Sequence, residues 1–544
     1  MGTPGVNRSR ALTGLAGAAA LVAGITVASR VAGFARWFVQ SYSVGATSTG
    51  SVYNTANQVP NVLFEIVAGG ALATVVVPLH AGPLARGLRK DVDRIASALL
   101  TWAIAVLVPT SLLVAVLARP IVTRLLGSPV DPALAAAQLD LGARLLAVFA
   151  PQLVLYGIGI VLAGVLQAQQ RFAWPAVMPL VSSVVVIGAY LMFRQLAGFA
   201  QADPAALSSS AVGWLGWGTT AGVAALSLPL LIPVYRSGVR LRPTFHFPAG
   251  VAGRAGRLAI AGLGALLAQQ VAVVAVVRLA NGTGGPGTIS TFMYAQAVYV
   301  LPYAVLAVPL ATVAFPRLAE HAATGDGERY RRLVSISTRS VIAGCALGSA
   351  ALLAAAPGVA AAFTNIDVGD IRGMAPALAW LAPGLIGYGL LLQSSRVLYA
   401  LERGRSAVVA AAAGWLAVTL VSILAVRALA GPAPDAPGTL LGLAIGNTVG
   451  MTVGGAAMLV AVRRATGSGG SAGLARTLVA AVVGAAAGAL AGRWVADAGL
   501  AAWGTSLRGA VPAACLSAVV ALAVAAVVFA ALDRSTVAEV RRRA

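Results

Sequence analysis

Two arginines, Arg30 and Arg36, lie inside the first apolar stretch of this chain, in the run Ser29-Arg30-Val31-Ala32-Gly33-Phe34-Ala35-Arg36. A guanidinium near the centre of a bilayer costs about 2.5–3.5 kcal/mol on insertion scales. A chain bears that cost where the charge faces a wet cavity. Arginine also presents a planar fork of donors that grips two oxygens of one phosphate. The pair therefore points to an anionic substrate handled within the membrane. A spacing of six separates the two by about 120° on a regular helix, so they share a face only if Gly33 bends it.

Glu65 is the only acid deep inside a predicted helix. It is expected to pair with an intramembrane arginine. Such a carboxylate is either a gate that releases an arginine to substrate or a static counter-ion that lets the arginines insert. Arg396 is either a phosphate ligand in a later segment or a cation at a helix end beside Glu402. Gln269 and Gln270 either meet sugar hydroxyls or act as polar glue between helices.

Other chemistry is poorly supported. Cys345 and Cys515 fall inside apolar segments, and His80, His246 and His321 are scattered. No Ser/His/Asp constellation and no phosphate-cradling glycine loop appears. No metal site or cofactor is expected, and no loop is long enough to hold a catalytic domain. The net charge of +22 does not mark a nucleic-acid binder. Its cations sit in short loops between apolar segments, where they set topology and meet anionic lipid headgroups.

The elements that must position these residues are membrane helices. The 544 residues are 59% hydrophobic and 10% charged, with a mean hydropathy of +0.87. Average globular chains carry about 25% charged residues. The expected class is an all-α polytopic membrane protein. Apolar runs long enough to span fall at 12–43, 52–80, 95–118, 137–169, 174–198, 211–235, 255–280, 288–318, 333–362, 374–401, 406–430, 438–462, 474–498 and 507–532, about fourteen helices. The first is read as a retained helix and not a signal peptide, because no small-residue cleavage site follows it. The loops alternate in charge. One set holds 25 cations and the other 8, with five more within or near the ends of helices. The positive-inside rule then places both termini in the cytoplasm.

An internal repeat is visible. Pro151-Gln152-Leu153-Val154-Leu155-Tyr156-Gly157 matches Pro383-Gly384-Leu385-Ile386-Gly387-Tyr388-Gly389 at an offset of 232, and residues 73–78 match 311–316 at 238. Six predicted helices separate the partners, so the halves run parallel, as in transporters built from two bundles. Residues 1–240 and 250–465 are expected to form two six-helix lobes, with 470–535 a two-helix appendage. Pro60, Gly69, Gly70 and Pro78 interrupt helix 2, as Pro302, Pro309 and Pro316 interrupt helix 8. Such breaks are tolerated where protein or water satisfies the freed backbone. They are either hinges lining a cavity or kinks that shape packing. Gly484, Gly488 and Gly492, at GxxxG spacing, predict close approach of another helix.

At these residues the chain resembles the MurJ/MviN family of lipid II flippases, within the multidrug/oligosaccharidyl-lipid/polysaccharide exporter superfamily. The likeness rests on the segment 29–36, on Pro60-Asn61 followed by Gly70-Ala71 and Val77-Pro78, and on Val165 to Phe172. It extends to Tyr294-Ala295 through Leu301-Pro302 and to Ala311-Thr312 through Leu318. The chain departs from the family pattern at Trp37, Ser51, Phe64-Glu65 and Gln296-Ala297.

The resemblance implies a flippase that moves lipid II, a lipid-linked diphosphate sugar, to the outer leaflet of the bacterial plasma membrane for cell-wall synthesis. It implies a central cavity lined by Arg30 and Arg36, and a groove for the prenyl tail beside the last two helices. Membrane lipids and cell-wall synthesis proteins are the implied partners, with no nucleic acid. Alternatives are an exporter of another lipid-linked oligosaccharide or amphipathic drug, and a non-transporting scaffold for wall-synthesis enzymes.

Overall fold

The computed structural model describes residues 8–66, 73–127, 131–248, 253, 263–432 and 434–541. Every regular element among the described residues is a helix. In hydrocarbon each backbone N–H and C=O must be satisfied within the protein, and a helix does this alone. Gly69 and Gly70 of the expected helix 2 interruption lie outside the described residues.

The chain divides into two compact units. The first comprises residues 1–44, 56–122 and 136–260, the second 45–55, 123–135 and 261–544. The first half contributes α1 (Arg8–Ser43), α2 (Ser48–Phe64), α3 (Ala73–Ala85), α4 (Arg89–Val116), α5 (Ala118–Leu125), α6 (Pro132–Phe149), α7 (Gln152–Ala168), α8 (Ala173–Ala197), α9 (Ser209–Ser227) and α10 (Leu231–Arg236). The second half contributes α11 (Leu263–Thr283), α12 (Thr288–Pro302), α13 (Val308–Ala323), α14 (Gly327–Ile366), α15 (Met374–Leu381), α16 (Gly384–Ala400), α17 (Gly404–Leu429), α18 (Ala436–Thr466), α19 (Leu474–Trp503), α20 (Leu507–Leu532) and α21 (Arg534–Arg541).

Eleven spans among the described residues are long and apolar enough to cross a membrane, or twelve if α15 and α16, bent by 43°, form one span. Fourteen were expected. The other two expected spans correspond to α1, with 36 residues, and to the α2/α3 pair. At 17 and 13 residues, α2 and α3 are each short of the roughly 20 residues a crossing needs.

Proline places the breaks. Pro151 and Pro383 are the caps from which α7 and α16 start, with φ of −60° in both. Proline lacks an N–H and crowds the carbonyl four residues back, so the preceding helix ends there. α12 ends at Pro302, and a π turn over Tyr303–Ala307 leads to Pro309 at the start of α13. α2 carries Pro60 internally and passes into a π turn at Glu65 and Ile66.

The last two long helices sit in the second unit, against each other and on α14. The glycine spacing explains the approach: β-carbons at Gly484, Gly488 and Gly492 would collide with the backbone oxygens of Ala525, Ala521 and Ser517. An ion pair then ties α21 to α14. Arg339 Nη2 lies 3.1 Å from Asp533 Oδ1 and its Nη1 3.6 Å from Glu539 Oε2. Arg339 Nε donates to Thr477 Oγ1 at 2.9 Å, and Asp533 is fully buried.

Candidate functional site

In the first unit, α1 runs unbroken through both arginines. Gly33 leaves open space where a side chain would stand, so nothing presses on the helix there. Arg30 is exposed and Arg36 half-buried. The Arg36 guanidinium lies 5.7 Å from the Trp37 ring centroid, within reach of a weak cation–π contact. Ser29 Oγ donates to the carbonyl of Ala176 at 2.9 Å and fastens α1 to α8.

Glu65 is half-buried at the π turn that ends α2. The expected pair with an arginine is not formed: among the described residues Arg30, Arg36 and Glu65 make no ion pair. Position in the sequence could place the acid at membrane depth but could not fix which way its helix turns. Beside it, Asn61 Nδ2 donates to the Asn57 carbonyl at 2.8 Å, the local bond a residue next to a proline break can supply. The Tyr156 hydroxyl donates to Asn61 Oδ1 at 3.2 Å, and its ring meets Phe64 with centroids 4.4 Å apart.

In the second unit, Gln269 lines a cavity of about 230 Å³ together with Tyr303, Tyr388, Ser395, Tyr399 and Trp415. Tyr388 packs on Tyr303 at 4.3 Å and on Tyr299 at 6.3 Å between centroids. Gln270, one residue on, is buried, and its amide nitrogen has no partner among the described residues. Arg396 donates through Nη1 to Thr312 Oγ1 at 2.9 Å, which joins α16 to α13. It makes no ion pair with Glu402 among the described residues. The structure thus brings Gln269 and the helix 8 break to one cavity, while Arg396 is not among the residues that line it.

Sequence reasoning missed a second polar cluster. Residues 45–55 are held within the second unit by hydrogen bonds at the starts of α2 and α12. Ser51 Oγ accepts from the Gly287 N–H at 2.7 Å, and Asn54 Nδ2 donates to Ser290 Oγ at 2.9 Å. Asn281 Nδ2 donates to Thr55 Oγ1 at 2.8 Å and to the Leu125 carbonyl at 3.1 Å, and Asp367 Oδ1 accepts from the Ala46 N–H at 2.8 Å. A helix start leaves N–H groups unpaired, and small polar side chains satisfy them here. The available signal was the run of Ser, Thr and Asn between residues 47 and 57, too polar for a lipid-facing helix.

Known proteins share this architecture. A MurJ in its inward closed conformation superposes with a TM-score of 0.70 at 15% identity, over 94% of this chain and 99% of that one. An inward-facing multidrug resistance transporter of the MATE family gives 0.63 at 14%, over 83% and 99%. At such identities the likeness is one of fold. Among curated sequences, a protein named "Probable lipid II flippase MurJ" from Rhizobium tropici is 26% identical over 333 residues, 59% of this chain and 57% of that protein. One of the same name from Synechocystis sp. is 27% identical over 252 residues, 45% of this chain and 44% of that protein. The chain thus spans about half the length of these relatives. The family model described as lipid II flippase MurJ matches residues 40–509. With most of its length under that model, this multi-pass membrane chain belongs to the lipid II flippase MurJ family.

Proposed function

We propose that the chain carries lipid II, a lipid-linked diphosphate sugar, from the cytoplasmic to the outer leaflet of the bacterial plasma membrane by alternating access. The observation that carries this reading is the pair Arg30 and Arg36. They are two cations on a membrane helix that no carboxylate among the described residues neutralises. Such groups replace the hydration that a diphosphate loses on entering the membrane. Family membership supplies the substrate class. A flippase moves its lipid without making or breaking a bond, so no catalytic residue is required.

The two lobes, residues 1–240 and 250–465, would rock about the breaks at Pro60, Pro302 and Pro309, with 470–535 beside the lipid tail. The hydrogen bonds of Ser51, Asn54 and Asn281 would keep the outer end closed, and they must break when the protein opens outward. Both termini would be cytoplasmic. The excess of loop cations on that side, 25 against 8, supports this orientation.

The test is depletion of the protein in its host. Accumulation of lipid-linked cell-wall precursor on the cytoplasmic side supports the flippase. Normal outward exposure with disturbed wall synthesis would favour the scaffold.

A further inference from the structure

The cavity in the second unit is walled by aromatic faces and holds polar groups with nothing to bind. Four rings line it, those of Tyr303, Tyr388, Tyr399 and Trp415, with Gln269 and Ser395 between them. These side chains come from α11, the π turn, α16 and α17. Among the described residues the Gln269 amide and the Trp415 indole N–H have no hydrogen-bond partner. Ser395 Oγ donates to its own helix at the Leu392 carbonyl, 2.9 Å away, and keeps its lone pairs. The Gln269 amide is half-buried on an open side of the cavity and is free to bind a ligand that enters there.

Charge narrows the occupant. No lining residue is ionised at neutral pH. A phosphate would want a cation, and none stands in the wall; the rings alone could hold an ammonium, but Gln269 and Ser395 between them suit a neutral ring that carries hydroxyls. Aromatic rings carry a negative face, which suits the weakly positive C–H bonds on one side of a pyranose. The amide supplies one acceptor and two donors, which match adjacent sugar hydroxyls or an acetamido group. About 230 Å³ is room for one sugar ring, with the remainder of a larger headgroup outside.

We infer that this cavity is a subsite for one neutral pyranose ring of the substrate's sugar headgroup, an assignment that rests on the flippase reading for its substrate class. Gln269 and Ser395 bind the ring's polar edge, and Trp415 and the tyrosines take its apolar face.

The test uses the full-length protein in lipid nanodiscs and the methyl β-glycoside of N-acetylglucosamine as probe, read by saturation-transfer NMR. The wild type should show transfer concentrated on the ring C–H protons. Gln269→Leu, which keeps the volume and suits an apolar helix, should bind roughly two- to tenfold more weakly. Trp415→Leu should abolish the signal. Thermal unfolding of each variant confirms that it is folded, and Gln269→Leu alone decides the matter if Trp415→Leu is not. Absence of transfer to the wild type overturns the inference, as does wild-type binding by folded Gln269→Leu. Choline binding in place of the glycoside also overturns it, by making the cavity a cation cage. Glycoside binding by a protein that fails to flip precursor would remove the flippase reading and leave the sugar subsite standing. Flipping without glycoside binding would do the reverse.

Discussion

Tyr156 and Tyr388, 232 residues apart, hold the same place in the two halves of the chain. Each follows the proline that starts its helix by five residues, and each lies against the break in another helix. Tyr156 meets Asn61 and Phe64, just before the π turn at Glu65. Tyr388 meets Tyr299 and Tyr303, at the π turn that opens at Tyr303. Asn61 and Tyr299 are 238 residues apart, as are Glu65 and Tyr303, the offset of the second repeat. A π turn widens the helix and frees a backbone group, and in both halves an aromatic ring supports it.

Removing that support should destabilise the fold more than removing the hydroxyl. Tyr388→Ala is expected to cost about 3 kcal/mol, from lost burial and lost ring contacts. Tyr156→Phe keeps its ring and gives up one hydrogen bond, about 0.5–1.5 kcal/mol. Unfolding of the purified variants in detergent gives the order. Equal losses from the two would show that the rings do not brace the breaks.

The repeat also governs backbone conformation. Gln170 and Glu402, again 232 apart, are the only non-glycine residues among those described with positive φ, at 60° and 57°. Each follows a 17-residue helix, α7 or α16. A β-branched residue is poorly tolerated there. Glu402→Val should lower stability by about 1–2 kcal/mol, and Glu402→Gly should not lower it. A glycine variant less stable than the valine variant would contradict the backbone explanation.

The clasp on α21 should respond to acid. Burial pushes the Asp533 carboxyl up, but the hydroxyls of Thr477, Thr536 and Ser535 and the Thr536 N–H outweigh it and hold the group well below the usual carboxylate range. A group with a depressed folded pKa stabilises fully above its unfolded value, about 3.9 for Asp, and loses that contribution as pH falls toward its folded value. Asp533 therefore contributes at a constant level at neutral pH and fades only below about pH 4. Asp533→Asn leaves the buried Arg339 charge with Glu539 alone, at 3.6 Å, and should cost about 3 kcal/mol, the low end for a broken buried pair, whereas Arg339→Met with Asp533→Asn should recover part of it. A double variant no better than the single would show that the clasp is not an ion pair in its energetics.

The hydrogen bonds that hold residues 45–55 should set outward access. Asn281→Leu removes the bonds to Thr55 and Leu125. In a background with Cys345→Ala and Cys515→Ala, a cysteine placed at Thr49, a buried position that takes no part in these bonds, should then react faster with an impermeant external thiol reagent. An unchanged rate would mean that these bonds do not close the outer end.

Charges and prolines were the legible part of the sequence. A lone Arg or Pro in an apolar run stands out because each breaks a rule of membrane helices. So Arg30, Arg36, Pro60, Pro302 and the repeat around Pro151 and Pro383 could be read directly. Glu65 was legible as a membrane acid, but its expected pairing was not, because a π turn re-aims a side chain without leaving a sequence mark. The aromatic wall was invisible for another reason. Tyr303, Tyr388, Tyr399 and Trp415 come from three separate helical segments, and only packing gathers them. Arg339 and Asp533 lie 194 residues apart, and Asp533 alone reads as an ordinary residue at a helix end.

The central claim is that Arg30 and Arg36 bind the diphosphate during translocation. A charge-assisted hydrogen bond is worth about 1.5–3 kcal/mol, so one lost phosphate contact weakens binding roughly 10- to 150-fold. The direct measurement is outward exposure of lipid-linked precursor, with membrane abundance, in cells carrying Arg30→Ala, Arg36→Ala or Arg36→Lys as the sole copy. Both alanine variants are predicted to reach normal abundance and to lose most outward exposure. The lysine variant, which keeps the charge without the fork, should recover part of it. Normal exposure by both alanine variants at normal abundance would contradict the claim.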